Sequence, residues 1–153
     1  MGNIDIRPPT AADSPEVVEV HVRARRSYYE GHLPESELAE WEAAARSRGY
    51  TFAGADLIWL CAELDGRIAG FALATDAGEL LQLQVDPARW EHGVGDALHR
   101  ACVEAWRGRG VSTAHLDVFE PNTRAREFYR RRGWREVGLS DGEPVHVRMA
   151  LAL

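Results

Sequence analysis

Between Gly95 and Arg107 the residues Ala97, Leu98, Ala101, Cys102, Ala105 and Trp106 recur at helical spacing and form one apolar stripe. A helix of this kind must lie on an apolar surface, and its flanks say what that surface is. Glu79–Val85 reads as a strand stopped by Pro87, and the loop Trp90–Gly95 carries Gly93 and Gly95. After the helix, Ala114–Phe119 alternates Leu116 and Val118 against His115 and Asp117, a second strand. The step from Glu79 to Phe119 should then be a right-handed crossover joining parallel neighbours of one sheet.

The rest of the chain is read around that unit. Ile4–Arg7 is a short strand ended by Pro8-Pro9. Asp13 or Ser14, followed by Pro15, opens a helix through about Tyr29, which Gly31 to Pro34 break. Ser36 is read as the cap of a second helix through Ser47, ended by Gly49. Leu57–Glu63, Ile68–Thr75 and Glu79–Val85 form an antiparallel meander, with Asp65-Gly66 as a two-residue hairpin turn. Asn122–Arg132 is a second clear helix with Gly133 as its stop, and Arg135–Leu139 and Val145–Leu151 are closing strands. The order β-α-α-β-β-β-α-β-α-β-β predicts a mixed, mostly antiparallel α/β sheet of about six or seven strands, with helices on both faces.

Composition removes several function classes. At 153 residues the chain fits one domain, residues 1–153, with room for one sizeable core. No apolar run approaches the roughly 20 residues of a membrane helix. The start Met1-Gly2-Asn3-Ile4-Asp5 lacks the basic and apolar segments of a signal peptide. Gly2 falls short of an acylation signal because Ile6 stands where Ser or Thr is wanted. A cytoplasmic protein without a membrane partner is expected. The net charge of −6 argues against nucleic acid as a partner and slightly favours cationic ones. Cys61 and Cys102 read as small buried hydrophobes, and no Cys/His cluster has zinc-site spacing, so no metal is expected.

The loop before the Gly95 helix is the first candidate for chemistry. Unpaired N–H groups at a helix N-terminus favour phosphate oxygens, and glycines let the backbone approach closely. Gly93 and Gly95 are equally compatible with a plain turn. The loop lacks the Gly-Lys-Ser/Thr ending of a Walker motif and the third glycine of a Rossmann fingerprint.

Two segments together resemble the GNAT superfamily of N-acetyltransferases. Val85-Asp86-Pro87-Ala88-Arg89-Trp90-Glu91-His92-Gly93-Val94-Gly95 is similar to that family's pyrophosphate loop, usually Gln/Arg-x-x-Gly-x-Gly/Ala. Asn122-Thr123-Arg124-Ala125-Arg126-Glu127-Phe128-Tyr129, running on to Gly133-Trp134, is similar to its Asn-x-x-Ala-x-x-Phe-Tyr-x-x-x-Gly-Phe helix. The element order agrees from Ile4 to Leu151. Trp90 stands at the family's Gln/Arg position, and Glu91 replaces a common glycine.

The resemblance implies an acetyl-CoA-dependent N-acetyltransferase acting on a primary amine. The same fold could instead serve as a non-catalytic acyl-CoA-binding module or an interaction protein. The implied cosubstrate contacts are main-chain groups of His92, Gly93, Val94, Gly95, Asp96 and Ala97, with Arg89 or His92 as a replacement side-chain donor. Val85 and Leu83 are expected to pair with the pantetheine arm like an added strand. Asn122 is expected to touch that arm, to cap its helix, or both.

Amide formation needs an uncharged amine, and neutralising a lysine-like one at pH 7 costs roughly 4–5 kcal/mol. A proton acceptor is therefore needed, and an acid for the departing thiolate. Tyr129 is expected to be the acid, though its pattern also fits a core aromatic beside Phe128. Glu79 is the candidate base, or else an ordinary solvated carboxylate. Strand alternation puts it on the face of Leu81, Leu83 and Val85 unless a bulge intervenes, with Gln82 and Gln84 opposite. The arginines Arg124, Arg126, Arg130, Arg131 and Arg132 read as a solvated face with one or two near the adenosine phosphate. The acceptor, a small-molecule or peptide amine, is expected to meet the first two helices, where Tyr28, Tyr29, His32 and Trp41 stand out unless they are core. A homodimer is compatible with all of this.

Overall fold

The computed structural model describes residues 3–153; Met1 and Gly2, and with them the acylation reading, lie outside the described residues. The elements are β1 (Ile4–Arg7), α1 (Ser14–Tyr29), α2 (Glu35–Arg48), β2 (Leu57–Leu64), β3 (Arg67–Thr75), β4 (Glu79–Val85), α3 (Val94–Gly108), β5 (Thr113–Phe119), α4 (Thr123–Arg131), β6 (Arg135–Leu139) and β7 (His146–Ala152). They build one seven-stranded sheet in the order β1-β2-β3-β4-β5-β7-β6. Every pairing is antiparallel except β4 with β5. The mixed α/β sheet and its one parallel step are as the sequence predicts.

Hydrophobic alternation divides the core between two faces. Leu98, Cys102 and Trp106 of α3 pack on Ala62, Ala72, Ala74, Leu116 and Met149, together with Tyr129 and Trp134. On the other face Val17 and Val20 of α1 meet Cys61 and Phe71. The α2 helix covers α1 through Ala45 and Trp41 against Val18 and Val22. The Asp65-Gly66 turn has both residues at positive φ, 55° and 78°, the type I′ geometry that such a pair favours. Two details differ from the sequence reading. Helix α2 starts at Glu35 behind Pro34, so Ser36 lies inside it and is no cap. Helix α3 starts at Val94, one residue early, because Gly93 takes the N-cap position. Both cysteines are free and buried, and no described helix is long and apolar enough to cross a membrane.

Two histidines are buried as neutral rings. His21 lies against Trp41 and Phe71 and hydrogen-bonds the Tyr50 hydroxyl. His99 Nε2 accepts from Trp134 Nε1 at 2.9 Å. Burial, helped by Arg25 near one and Arg132 near the other, pushes both imidazoles down to about 4. In the unfolded chain they titrate near 6.5, so there the unfolded state binds more protons than the folded one. Their contribution is complete above about pH 6.5 and is lost as pH falls toward 4, on the order of 3 kcal/mol each. Urea midpoints measured from pH 7 to pH 4 should fall steeply across this window. His99→Gln should flatten the fall; an unchanged profile in that variant would remove His99 from the account.

Candidate active site

The parallel pairing of β4 and β5 is short: Glu79 faces His115 and Leu80 faces Leu116, and the ladder then stops. Its end coincides with a bulge. The partner of β3 jumps between Leu73 and Ala74, leaving Leu81 unpaired and 46% exposed. Past the bulge the two strands diverge and open a cleft of about 310 Å³ at their carboxyl ends. Ligands of α/β sheets bind in crevices of this kind. One wall is Gln82–Val85 with Tyr28 and Tyr29 of α1. The other is Leu116–Phe119 with Asn122, Ala125, Phe128 and Tyr129, and Arg89, Trp90, Gly95 and Arg124 complete the lining.

The inner edge of β4 is free to pair. Asp86 N–H donates to the Ala69 carbonyl at 2.8 Å, so Val85 and Gly70 are a non-hydrogen-bonded pair of the antiparallel ladder. Alternation makes Leu83 and Ala72 another. The N–H and C=O groups of Leu83 and Val85 therefore point away from β3 and into the cleft.

At one end of that edge stands the N-terminus of α3. Gly93, at φ 82°, sits in the left-handed region that glycine adopts at no cost. The first helical bond runs from Ala97 N–H to the Gly93 carbonyl at 3.0 Å. Ala97 is thus no free donor, contrary to the sequence reading, because the helix begins one residue earlier. The amides of Val94, Gly95 and Asp96 remain without a helical partner. Gly95 borders the cleft, and a Cβ there would lie 3.1 Å from the Phe128 ring, so α3 and α4 meet closely at this residue. The Asp96 carboxylate is taken up by Arg100 at 2.5 Å and Arg132 at 3.2 Å, which offsets its charge beside these amides. His92 is exposed, and its Nδ1 lies 2.9 Å from the Trp90 carbonyl; it braces the loop and does not line the cleft.

Glu91 is exposed and has φ 68°, a left-handed conformation. A non-glycine residue there costs roughly 1–2 kcal/mol, while glycine gives back roughly 0.5–1 kcal/mol in unfolded-state entropy. Glu91→Gly should therefore stabilise the protein by about 0.5–1 kcal/mol, read as a higher urea midpoint at unchanged slope. A lower midpoint would show that the loop holds Glu91 by contacts that outweigh the strain.

Tyr129 of α4 is 7% exposed and also lines the cleft. Among the described residues its hydroxyl has no hydrogen-bond partner. Burial above all, with Cys102 and Tyr28 nearby, holds the phenol well above its ordinary range, so it stays protonated. Asn122 lines the cleft while its side chain accepts from Ala125 N–H at 3.2 Å, which makes it the α4 cap as well.

Glu79 is not brought to the cleft. Because of the bulge, Leu80, Leu83 and Val85 share the α3 face opposite Ala74, Ala72 and Gly70, and Glu79 turns to the other one. This corrects the expected grouping of Glu79, Leu81, Leu83 and Val85. Its carboxylate meets Arg148 at 2.6 Å, and Arg148 also reaches Asp117 at 3.3 Å. The proton acceptors that line the cleft are Asp117 and His146. His146 Nδ1 lies 2.8 Å from the Pro144 carbonyl, which can only accept, so Nδ1 is the donor there and, in the neutral ring, the lone pair is on Nε2. The sequence reading missed both. Asp117 was visible as the polar phase of β5, but His146 reaches the cleft only through the pairing of Phe119 with His146.

Tyr28 and Tyr29 do line the cleft; Tyr28 accepts from Gln84 Nε2 at 3.2 Å, and Gln84 also donates to Gln82 at 2.8 Å. Burial first, against a lowering effect of Gln84, pushes the Tyr28 phenol up to about 12. His32 borders a smaller hollow beside Tyr28 and Arg124. Trp41 lies apart, under Arg25 at 4.3 Å.

Comparison with known proteins points one way. The profile described as "Acetyltransferase (GNAT) family" matches residues 17–134. The chain is 35% identical to mycothiol acetyltransferase of Clavibacter sepedonicus over 85% of its own length and 42% of that protein's. It spans less than half of the mycothiol acetyltransferases it matches. It is 29% identical to the ribosomal protein bS18-alanine N-acetyltransferase of Escherichia coli K12, over 58% of this chain and 67% of that one. The fold superposes on PaiA N-acetyltransferase from Thermoplasma acidophilum, solved with coenzyme A, at TM-score 0.81 and 20% identity, covering 99% of each chain.

Proposed function

The chain belongs to the acetyltransferase (GNAT) family, and on that premise we propose that it moves an acetyl group from acetyl-CoA to a primary amine by direct attack on the thioester. One observation carries the reading. Gly95 at the start of α3, the unpaired Leu83 and Val85 edge and Tyr129 all border a single cleft. Such donors suit a diphosphate, an amide-bearing arm and a thioester. The cosubstrate supplies the activated acetyl group. The amides of Val94, Gly95 and Asp96 hold its phosphates, and Leu83 and Val85 hold its arm. The free edge N–H groups of Leu83 and Val85 are the donors available to the thioester carbonyl oxygen, where negative charge develops during attack.

Tyr129 delivers its proton to the departing thiolate: burial keeps the phenol protonated, and the same desolvation makes the thiolate more basic. The amine proton leaves toward Asp117 or His146, directly or through water. Glu79 has the supporting part of holding Arg148. The amine enters past Tyr28, Gln82, Gln84 and Phe119, a wall that is aromatic and neutral-polar. The relatives are named for molecules as different as mycothiol and a ribosomal-protein alanine, so the acceptor is not transferred from them.

Calorimetry with acetyl-CoA tests the first half of the reading, and an amine panel followed by thiol release tests the second. Absence of binding at high micromolar acetyl-CoA would overturn the whole. Binding without turnover on any amine would leave a non-catalytic acyl-CoA-binding module. His146→Gln and Asp117→Asn then separate the two acceptors: the variant that loses the acid limb of the pH–rate profile names the base.

A further inference from the structure

At position 90 a tryptophan stands where the similar motif has Gln or Arg, and the structure gives it an unusual neighbour. The Arg124 guanidinium lies over the Trp90 ring, 3.7 Å from its centroid. The contact spans the cleft mouth, from the loop after β4 to the first turn of α4, and both residues line the cleft.

Arg124 differs from the other arginines of this segment in what it is bound to. Arg126 pairs with Glu136 at 2.8 Å, Arg130 and Arg131 with Glu127 at 3.1 Å, and Arg132 with Asp96 at 3.2 Å. Among the described residues Arg124 has no carboxylate partner. Its place is also unfavourable, since the first turn of a helix is its positive end and repels cations. A stacked, unpaired guanidinium at the positive end of a helix, bordering a cleft, suits an anion that arrives from outside.

We propose that Arg124 is the side chain that grips the diphosphate of the CoA cosubstrate, in place of the Gln or Arg missing at position 90, and that Trp90 holds its guanidinium in position. This rests on the acetyl-CoA reading above. The diphosphate would lie between the α3 amides on one side and Arg124 on the other. Arg89, which also borders the cleft without a carboxylate partner among the described residues, is the competing cation.

Calorimetry with CoA, 3′-dephospho-CoA and pantetheine separates the candidates. Arg124→Ala should weaken CoA and dephospho-CoA alike, by about tenfold to a hundredfold, the value of a charge-assisted bond. Pantetheine affinity should not change. Trp90→Ala should cost less, about threefold to tenfold, because the cation remains but is no longer held. Trp90→Arg placed in the Arg124→Ala protein should restore most of the loss. The thermal midpoint of Arg124→Ala should stay level or rise, since a cation leaves the positive helix end; a contact that were only structural would lower it.

The proposal is overturned if Arg124→Ala binds CoA like the unaltered chain, or loses pantetheine by the same factor. A loss with CoA but not with dephospho-CoA would also overturn it, by moving Arg124 to the 3′-phosphate. If the unaltered chain binds no CoA at all, the acetyl-CoA reading fails first and takes this inference with it.

Discussion

Tyr129→Phe should lower kcat by about a hundredfold to a thousandfold and leave acetyl-CoA affinity within about twofold, the pattern of a lost proton donor. The substitution removes one oxygen and leaves the ring in place against Phe128 and Trp134. Among the described residues the hydroxyl has no hydrogen-bond partner, so no buried group loses its bond and folding should be untouched. Any loss of rate then reports chemistry. The measurement is thiol release at saturating acetyl-CoA and amine, with affinity by calorimetry. A rate within threefold of the unaltered protein would remove Tyr129 from the acid role, and the thiolate would then be expelled without a side-chain acid.

The largest stability effect is expected at Trp134. Its ring is 2% exposed and packs edge-on to Trp106 and Tyr129, and its Nε1 donates to His99 Nε2. Trp134→Ala should cost about 3–5 kcal/mol, the range for deleting a large buried aromatic. Trp134→Phe keeps most of the packing but leaves the His99 acceptor unpaired, which should cost about 1–3 kcal/mol. Urea denaturation of both variants at pH 7 tests the ordering. Equal losses would mean that the hydrogen bond carries the effect; a negligible loss in both would mean that the core refills the space. Since Trp134 backs the helix that carries Tyr129, the Ala variant should also lose rate when folded.

The readable parts of this chain are those governed by short-range rules. Period-two alternation located β5, proline and glycine breaks bounded the strands before it, the apolar stripe located α3, and the Asp65-Gly66 pair located a hairpin whose φ values agree with its residues. The errors have two different causes. Gly93 serves as the α3 cap, which moved the helix start by one residue and removed Ala97 from the free donors. The bulge at Leu81 breaks the alternation that grouped Glu79 with Leu83 and Val85. A bulge leaves almost no mark in one sequence, because its cause is the packing of neighbouring strands rather than the residue itself.

The sequence by itself determined the α/β order, the glycine-bearing loop before α3 and the tyrosine on α4, because each depends on residues within a few positions of one another. Only the tertiary structure decided which groups share the cleft. The early end of the β4–β5 ladder exposes the Leu83 and Val85 amides. The β5–β7 register brings in His146, and the approach of α4 to the loop lays Arg124 on Trp90. These contacts join residues far apart in the chain, and their geometry is set by strand register and helix docking, which no local pattern specifies.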